Sequence, residues 1–69
     1  MRYGVRNQFI GEVAFIKKDE VMSEVVLEVT KGVYMTSVMT TDSLSDLGVR
    51  EGDRVKALVK AVNVVLVKE

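Results

Sequence analysis

Val33-Tyr34-Met35-Thr36-Ser37-Val38-Met39-Thr40 runs without a break into Thr41-Asp42-Ser43-Leu44-Ser45-Asp46-Leu47-Gly48, and the change of rhythm between the two halves decides the fold. In the first half Val33, Met35, Ser37 and Met39 alternate with Tyr34, Thr36, Val38 and Thr40, the period of two that marks a strand. In the second, Leu44 and Leu47 lie three apart on one helical face. Thr41 or Asp42 is suited to cap the N-terminus, and Gly48 is placed for a left-handed C-cap.

Upstream, Phe9, Gly11, Val13 and Phe15 alternate with Ile10, Glu12, Ala14 and Ile16, which predicts a first strand ending at Lys17-Lys18-Asp19-Glu20. A second strand is expected from Met22 to Val29, joined to the third by a hairpin turn at Thr30-Lys31-Gly32. Downstream, Glu51-Gly52-Asp53 is a turn, a fourth strand covers Arg54 to Lys60 and a fifth covers Val62 to Val67. No linker, repeat or low-complexity stretch interrupts this order, so residues 1–69 are read as a single domain. Three strands, a short helix and two more strands predict an all-β fold: a five-stranded OB-like Greek-key barrel with its helix between strands three and four. An SH3-like barrel is the runner-up, but it would not need the helix.

Composition narrows the function. The chain has 69 residues, 48% hydrophobic and 29% charged, with ten Lys and Arg balancing ten Asp and Glu. A net charge of zero argues against a broad basic field for nucleic acid. Without Cys or His there is no disulfide framework, no usual zinc site, and no Ser-His-Asp or Cys-His nucleophile. Below roughly 70–80 residues one core rarely supplies more than ~3–5 kcal/mol, and small scaffolds use a staple. With disulfides and a structural metal unavailable, oligomerisation is the expected device. Val25-Val26-Leu27 and Val62 to Val67 are apolar on both faces, so each needs cover within and outside. A buried central strand would provide it, and so would a strand lining a subunit interface. The opening Met1-Arg2-Tyr3-Gly4-Val5-Arg6 lacks the apolar stretch of a signal peptide, and Val64-Val65-Leu66-Val67 is far short of a membrane span. The expectation is a cytoplasmic protein with no membrane partner.

Candidate chemistry is sparse. Asp19, Glu20 and Glu24 cluster near the first turn without the spacing of a calcium loop, and Glu51 and Asp53 read as turn residues. Binding of single-stranded nucleic acid, which OB barrels often perform, calls for a basic groove with stacking aromatics. Here the aromatics are Tyr3, Phe9, Phe15 and Tyr34, and the two phenylalanines share one face that is expected to pack the core. The donors are more suggestive. Arg6, Thr40, Ser43 and Lys60 all fall at element ends, and Thr40 and Ser43 flank a helix N-terminus, where N–H groups and the dipole favour an anion. A tetrahedral oxyanion accepts hydrogen bonds on every side and would use such a set. On spacing alone, ordinary capping plus surface charge is the favoured account of the same residues.

Several blocks of the chain resemble the molbindins, small cytoplasmic molybdate-binding proteins of the Mop (TOBE) family. Val5-Arg6-Asn7-Gln8-Phe9-Ile10-Gly11 is similar to their S-A-R-N-Q-x-x-G opening, and Ser23-Glu24-Val25-Val26-Leu27-Glu28 to their A/S-E-V-V-L-E. Thr36 to Leu44 resembles T-S-V-I-T-x-x-S-V, Leu47 to Asp53 resembles L-G-L-K-E-G-D, and Val59-Lys60-Ala61 resembles I-K-A. The resemblance implies a homohexamer, a trimer of dimers, that holds molybdate or tungstate at subunit interfaces for storage or homeostasis without catalysis. It implies oxyanion ligands at Arg6, Thr40, Ser43, Lys60 and the backbone N–H of Ala61, with Asn7 supporting the loop that presents Arg6. Gly4 stands where the family commonly has a ligating Ser, leaving an N–H but no hydroxyl, and Asn63 replaces a frequent Asp.

Overall fold

In the computed structural model, which describes residues 5–69, the elements follow in the order β1 (Asn7–Lys18), β2 (Met22–Thr30), β3 (Val33–Thr40), α1 (Thr41–Leu47) and β4 (Arg54–Val59), then a short 3₁₀ turn at Ala61–Asn63. The strands form one antiparallel sheet in the order β3-β2-β1-β4. The sheet is curled, so that β3 and β4, its two edges, line the same apolar cleft. The helix sits between the third and fourth strands, as its sequence predicts.

Two expectations about the strands are corrected. The fifth strand over Val62 to Val67 is not formed: the chain leaves β4 through the 3₁₀ turn, and Val62, Val65, Leu66 and Val67 are 82–89% exposed. A strand exists only through the ladder it joins, and nothing in a run of valines says which edge receives it. The described residues therefore give four strands and an open sheet rather than a closed five-stranded barrel.

The second correction concerns the phenylalanines. Glu12 faces Glu28 and Val13 faces Leu27, but Phe15 rather than Ala14 then faces Val26, so the register slips by one residue. This β-bulge inverts the alternation. Ile16, opposite Val25, takes the inner face that strict alternation gave to Phe15, and Phe15 turns outward at 50% exposure. Phe9, before the bulge and opposite Ala57, is 40% exposed. The bulge is clasped from the other side. Val13 N–H donates to the Asp53 carbonyl and Gly52 N–H to the Val13 carbonyl, both at 2.8 Å, while Glu51 Oε2 accepts from Ile16 N–H at 3.1 Å. The acidic Glu51-Gly52-Asp53 turn thus serves structure, as its sequence suggests.

The core is small: Val13, Val25, Leu27 and Leu44 are buried, with Ile16, Met39, Val49, Val55 and Ala57 packed around them. β2 is a central strand whose edges are covered by β1 and β3, and Val25 and Leu27 on its inner face are buried in the core. Leu44 is the only buried residue of α1 and joins the helix to that core. The helix closes at Gly48, whose φ of +71° is the left-handed conformation that disfavours a β-carbon, and Gly48 N–H donates to the Leu44 carbonyl at 3.1 Å.

Candidate functional site

The β3–α1 junction is built from hydroxyls. Thr40, not Thr41 or Asp42, is the N-cap: it ends β3 in an extended conformation, and its Oγ1 accepts from Ser43 N–H at 3.1 Å. The same hydroxyl donates to Ser43 Oγ at 2.8 Å. With Thr40's single proton committed there, the Ser43 hydroxyl keeps its own proton for a further acceptor. Both side chains are exposed.

Behind this pair lies a network that the motif blocks did not single out. Thr41 Oγ1 donates to the Asp19 carbonyl at 2.6 Å and lies 2.7 Å from Ser23 Oγ. Since Thr41 has one hydroxyl proton and a carbonyl only accepts, Ser23 is the donor in the second bond. Thr41 N–H also reaches the Val21 carbonyl at 2.8 Å. Ser23 is only 3% exposed. The signal for it was present: Ser23 lies in phase with Val25 and Leu27, and a hydroxyl on an inward face needs a partner. The network ties the start of α1 to the β1–β2 turn and so holds Thr40 and Ser43 in place.

The cationic half forms elsewhere. Asn7, half-buried, opens β1 opposite Val59, the last residue of β4. Arg6 and Lys60 are each one residue beyond that pair, so the two exposed cations emerge together at one end of the β1–β4 ladder. Lys60 caps the 3₁₀ turn, its carbonyl accepting from Asn63 N–H at 2.9 Å, and Ala61 opens that turn, where N–H groups have no partner inside the helix. Gly4 lies outside the described residues.

The register separates these halves. Thr40 pairs with Met22 at the start of β2, and Ser23 pairs with Lys18 at the end of β1, whereas Arg6 precedes the beginning of β1. Counted along the sheet, the whole of β1, Asn7 to Lys18, lies between the two positions. Within one chain the fold thus brings Arg6 to Lys60 and Thr40 to Ser43, and sets the two pairs at opposite ends of β1.

Among the described residues, no three carboxylates gather as a cation site. The outer face around Phe15 sets Glu12 against Glu28 and Lys17 against Glu24. Among the described residues no helix is long and apolar enough to cross a membrane.

A family model described as the TOBE domain matches residues 5–66. Molybdenum-pterin-binding protein 3 of Clostridium pasteurianum is 42% identical over 66 residues, which cover 96% of this chain and 97% of that protein. Molybdenum-pterin-binding protein 2 of the same organism is likewise 42% identical at the same coverage. Among solved structures, a molybdate-binding protein from Sporomusa ovata superposes with a TM-score of 0.90 at 37% identity, covering 99% of this chain and all of that one. MopII from Clostridium pasteurianum, in an apo form, gives 0.88 at 40% identity and covers 97% of this chain and all of that one.

Proposed function

Because the chain belongs to the TOBE-domain family, we propose that it is a molybdate-binding protein whose sites are completed between subunits. Tungstate, which presents the same four-oxygen shell, is the alternative guest. In this reading the protein is not an enzyme. It stores or buffers the ion in the cytoplasm as a homohexamer, a trimer of dimers.

The observation that carries this reading is the separation of the two donor pairs. Arg6 and Lys60 supply two positive charges at one end of the β1–β4 ladder, and Thr40 and Ser43 supply hydroxyls beside a helix start at the other end of β1. A dianion needs both, since charge must be balanced and each oxygen oriented by a directed donor. Two copies supply what one cannot. In the assembled site Arg6 and Lys60 balance the charge, while Thr40, Ser43 and the Ala61 N–H orient the oxygens. Asn7, held in the ladder opposite Val59, fixes the backbone from which Arg6 projects.

Calorimetric titration with molybdate tests the assignment. A hydrogen bond to a charged group is worth about 1.5–3 kcal/mol, so Arg6→Ala and Lys60→Ala should each weaken binding by about 10- to 100-fold. Tight binding unchanged in both variants would remove these residues from the site. A gel-shift assay with a single-stranded oligonucleotide tests the competing nucleic-acid-binding reading: salt-sensitive retention would favour it, and none is expected.

A further inference from the structure

The β1–β2 turn reaches the start of α1 through its backbone. The Asp19 carbonyl accepts from Thr41 Oγ1 at 2.6 Å, the Val21 carbonyl accepts from Thr41 N–H at 2.8 Å, and Asp19 N–H closes the turn on the Met22 carbonyl at 3.1 Å. With those carbonyls committed to the helix start, the side chains of Asp19 and Glu20 stay exposed beside it. Asp42, also exposed, stands between Thr41 and Ser43 in the first turn of α1. Three carboxylates thus border the Thr40–Ser43 hydroxyl pair. Their charge is not matched by their neighbours. The helix carries Asp42 and Asp46 and no basic residue. Of the two lysines ahead of the turn, Lys17 faces Glu24 across the β1–β2 ladder, and Lys18 lines a different flank of α1 with Ser45, Gly48 and Arg50.

These groups are not a cation site: among the described residues no three acidic side chains gather closely enough to hold a metal ion. Capping does not require them, since Thr40 Oγ1 already accepts from Ser43 N–H. Asp42 complements the helix dipole, which accounts for neither Asp19 nor Glu20. Resting on the molybdate reading above, we infer that Asp19, Glu20 and Asp42 set the strength of the oxyanion site by repulsion. They hold its affinity for a dianion below what Arg6, Lys60 and the hydroxyls give without them. Charge acts over about 8 Å at physiological ionic strength, and the contacts just named set the turn and the helix start closer than that. In the assembled site the carboxylates oppose the two cations. A protein that stores an ion must also give it up, and like charge at the rim speeds release without removing a donor.

The test is calorimetric titration of molybdate into the full chain and its charge variants at two ionic strengths. Asp19→Asn, Glu20→Gln and Asp42→Asn should each tighten binding roughly two- to fivefold at low salt, and the three together about tenfold or more. Glu20→Lys should tighten it further than Glu20→Gln, a graded response to charge that a purely structural role of the turn does not produce. Added sodium chloride should weaken binding more steeply in the triple variant than in the parent, where attraction and repulsion offset. Should Asp42→Asn lower the unfolding midpoint through the helix, the two turn positions alone decide the matter. A parent that binds molybdate, with affinity and salt slope unchanged in every variant, overturns the inference and leaves the molybdate reading standing. Weaker binding in the neutralised proteins at unchanged unfolding midpoints also overturns it, since the carboxylates then support the site instead of opposing the ion. No saturable binding by the parent or any variant overturns both.

Discussion

Ser23 and Thr41 show how a single buried hydroxyl can fix the position of a site it does not touch. Thr41→Val removes the acceptor for Ser23, the donor to the Asp19 carbonyl and no volume to speak of, leaving a nearly inaccessible hydroxyl unpaired. The expected cost is about 1–3 kcal/mol in denaturant unfolding, with molybdate affinity reduced through the displaced Thr40 and Ser43. Gly11 is constrained in a different way. A β-carbon there would lie 3.0 Å from the Glu28 carbonyl oxygen, which belongs to backbone paired across the β1–β2 ladder and has little freedom to retreat. Gly11→Ala should lower stability by about 1–3 kcal/mol, read as a lower unfolding midpoint. On the proposed reading, a hydroxyl at position 4 would add one neutral donor worth about 0.5–1.5 kcal/mol, so Gly4→Ser should tighten molybdate binding by up to roughly tenfold in the same titration.

Among the elements, β1 and α1 do the positioning. The bulge in β1 lets one strand pair with β2 along its second half and β4 along its first, each time with the proper residues inward. This is why period-two reading located β1 but misassigned Phe15: alternation is a local rule, and one inserted residue inverts everything beyond it. The helix was legible because its signals are local too, an N-cap hydroxyl, apolar residues three apart and a C-terminal glycine. Only seven residues long, it depends on packing rather than on propensity. Leu44 is its one buried side chain, so Leu44→Ala should cost about 2–5 kcal/mol and loosen the Thr40–Ser43 cap, measurable as faster amide exchange through residues 43–47.

For the molecule as a whole, ligand and assembly should be linked. If the two donor pairs come from different subunits, molybdate binds only the assembled protein and stabilises it by mass action, by about 2.7 kcal/mol at a hundred times its dissociation constant. Melting curves should therefore rise with molybdate and tungstate. Dilution should lower the midpoint without ligand more than with it. A midpoint indifferent to both would show that the site and the interface are separate.

By itself the sequence determined the four paired strands, the helix between the third and fourth, and the turn glycines, because each is written in neighbours a few residues apart. It also marked Arg6, Thr40, Ser43 and Lys60 as residues at element ends. Only the tertiary structure decided which of them meet. The registers Asn7 to Val59 and Met22 to Thr40 bring together residues far apart in the chain, and a pairing partner is a property of the assembled sheet, not of either strand. The same reason left the last valines unplaced: a hydrophobic run specifies that it must be covered, and the fold in three dimensions specifies by what.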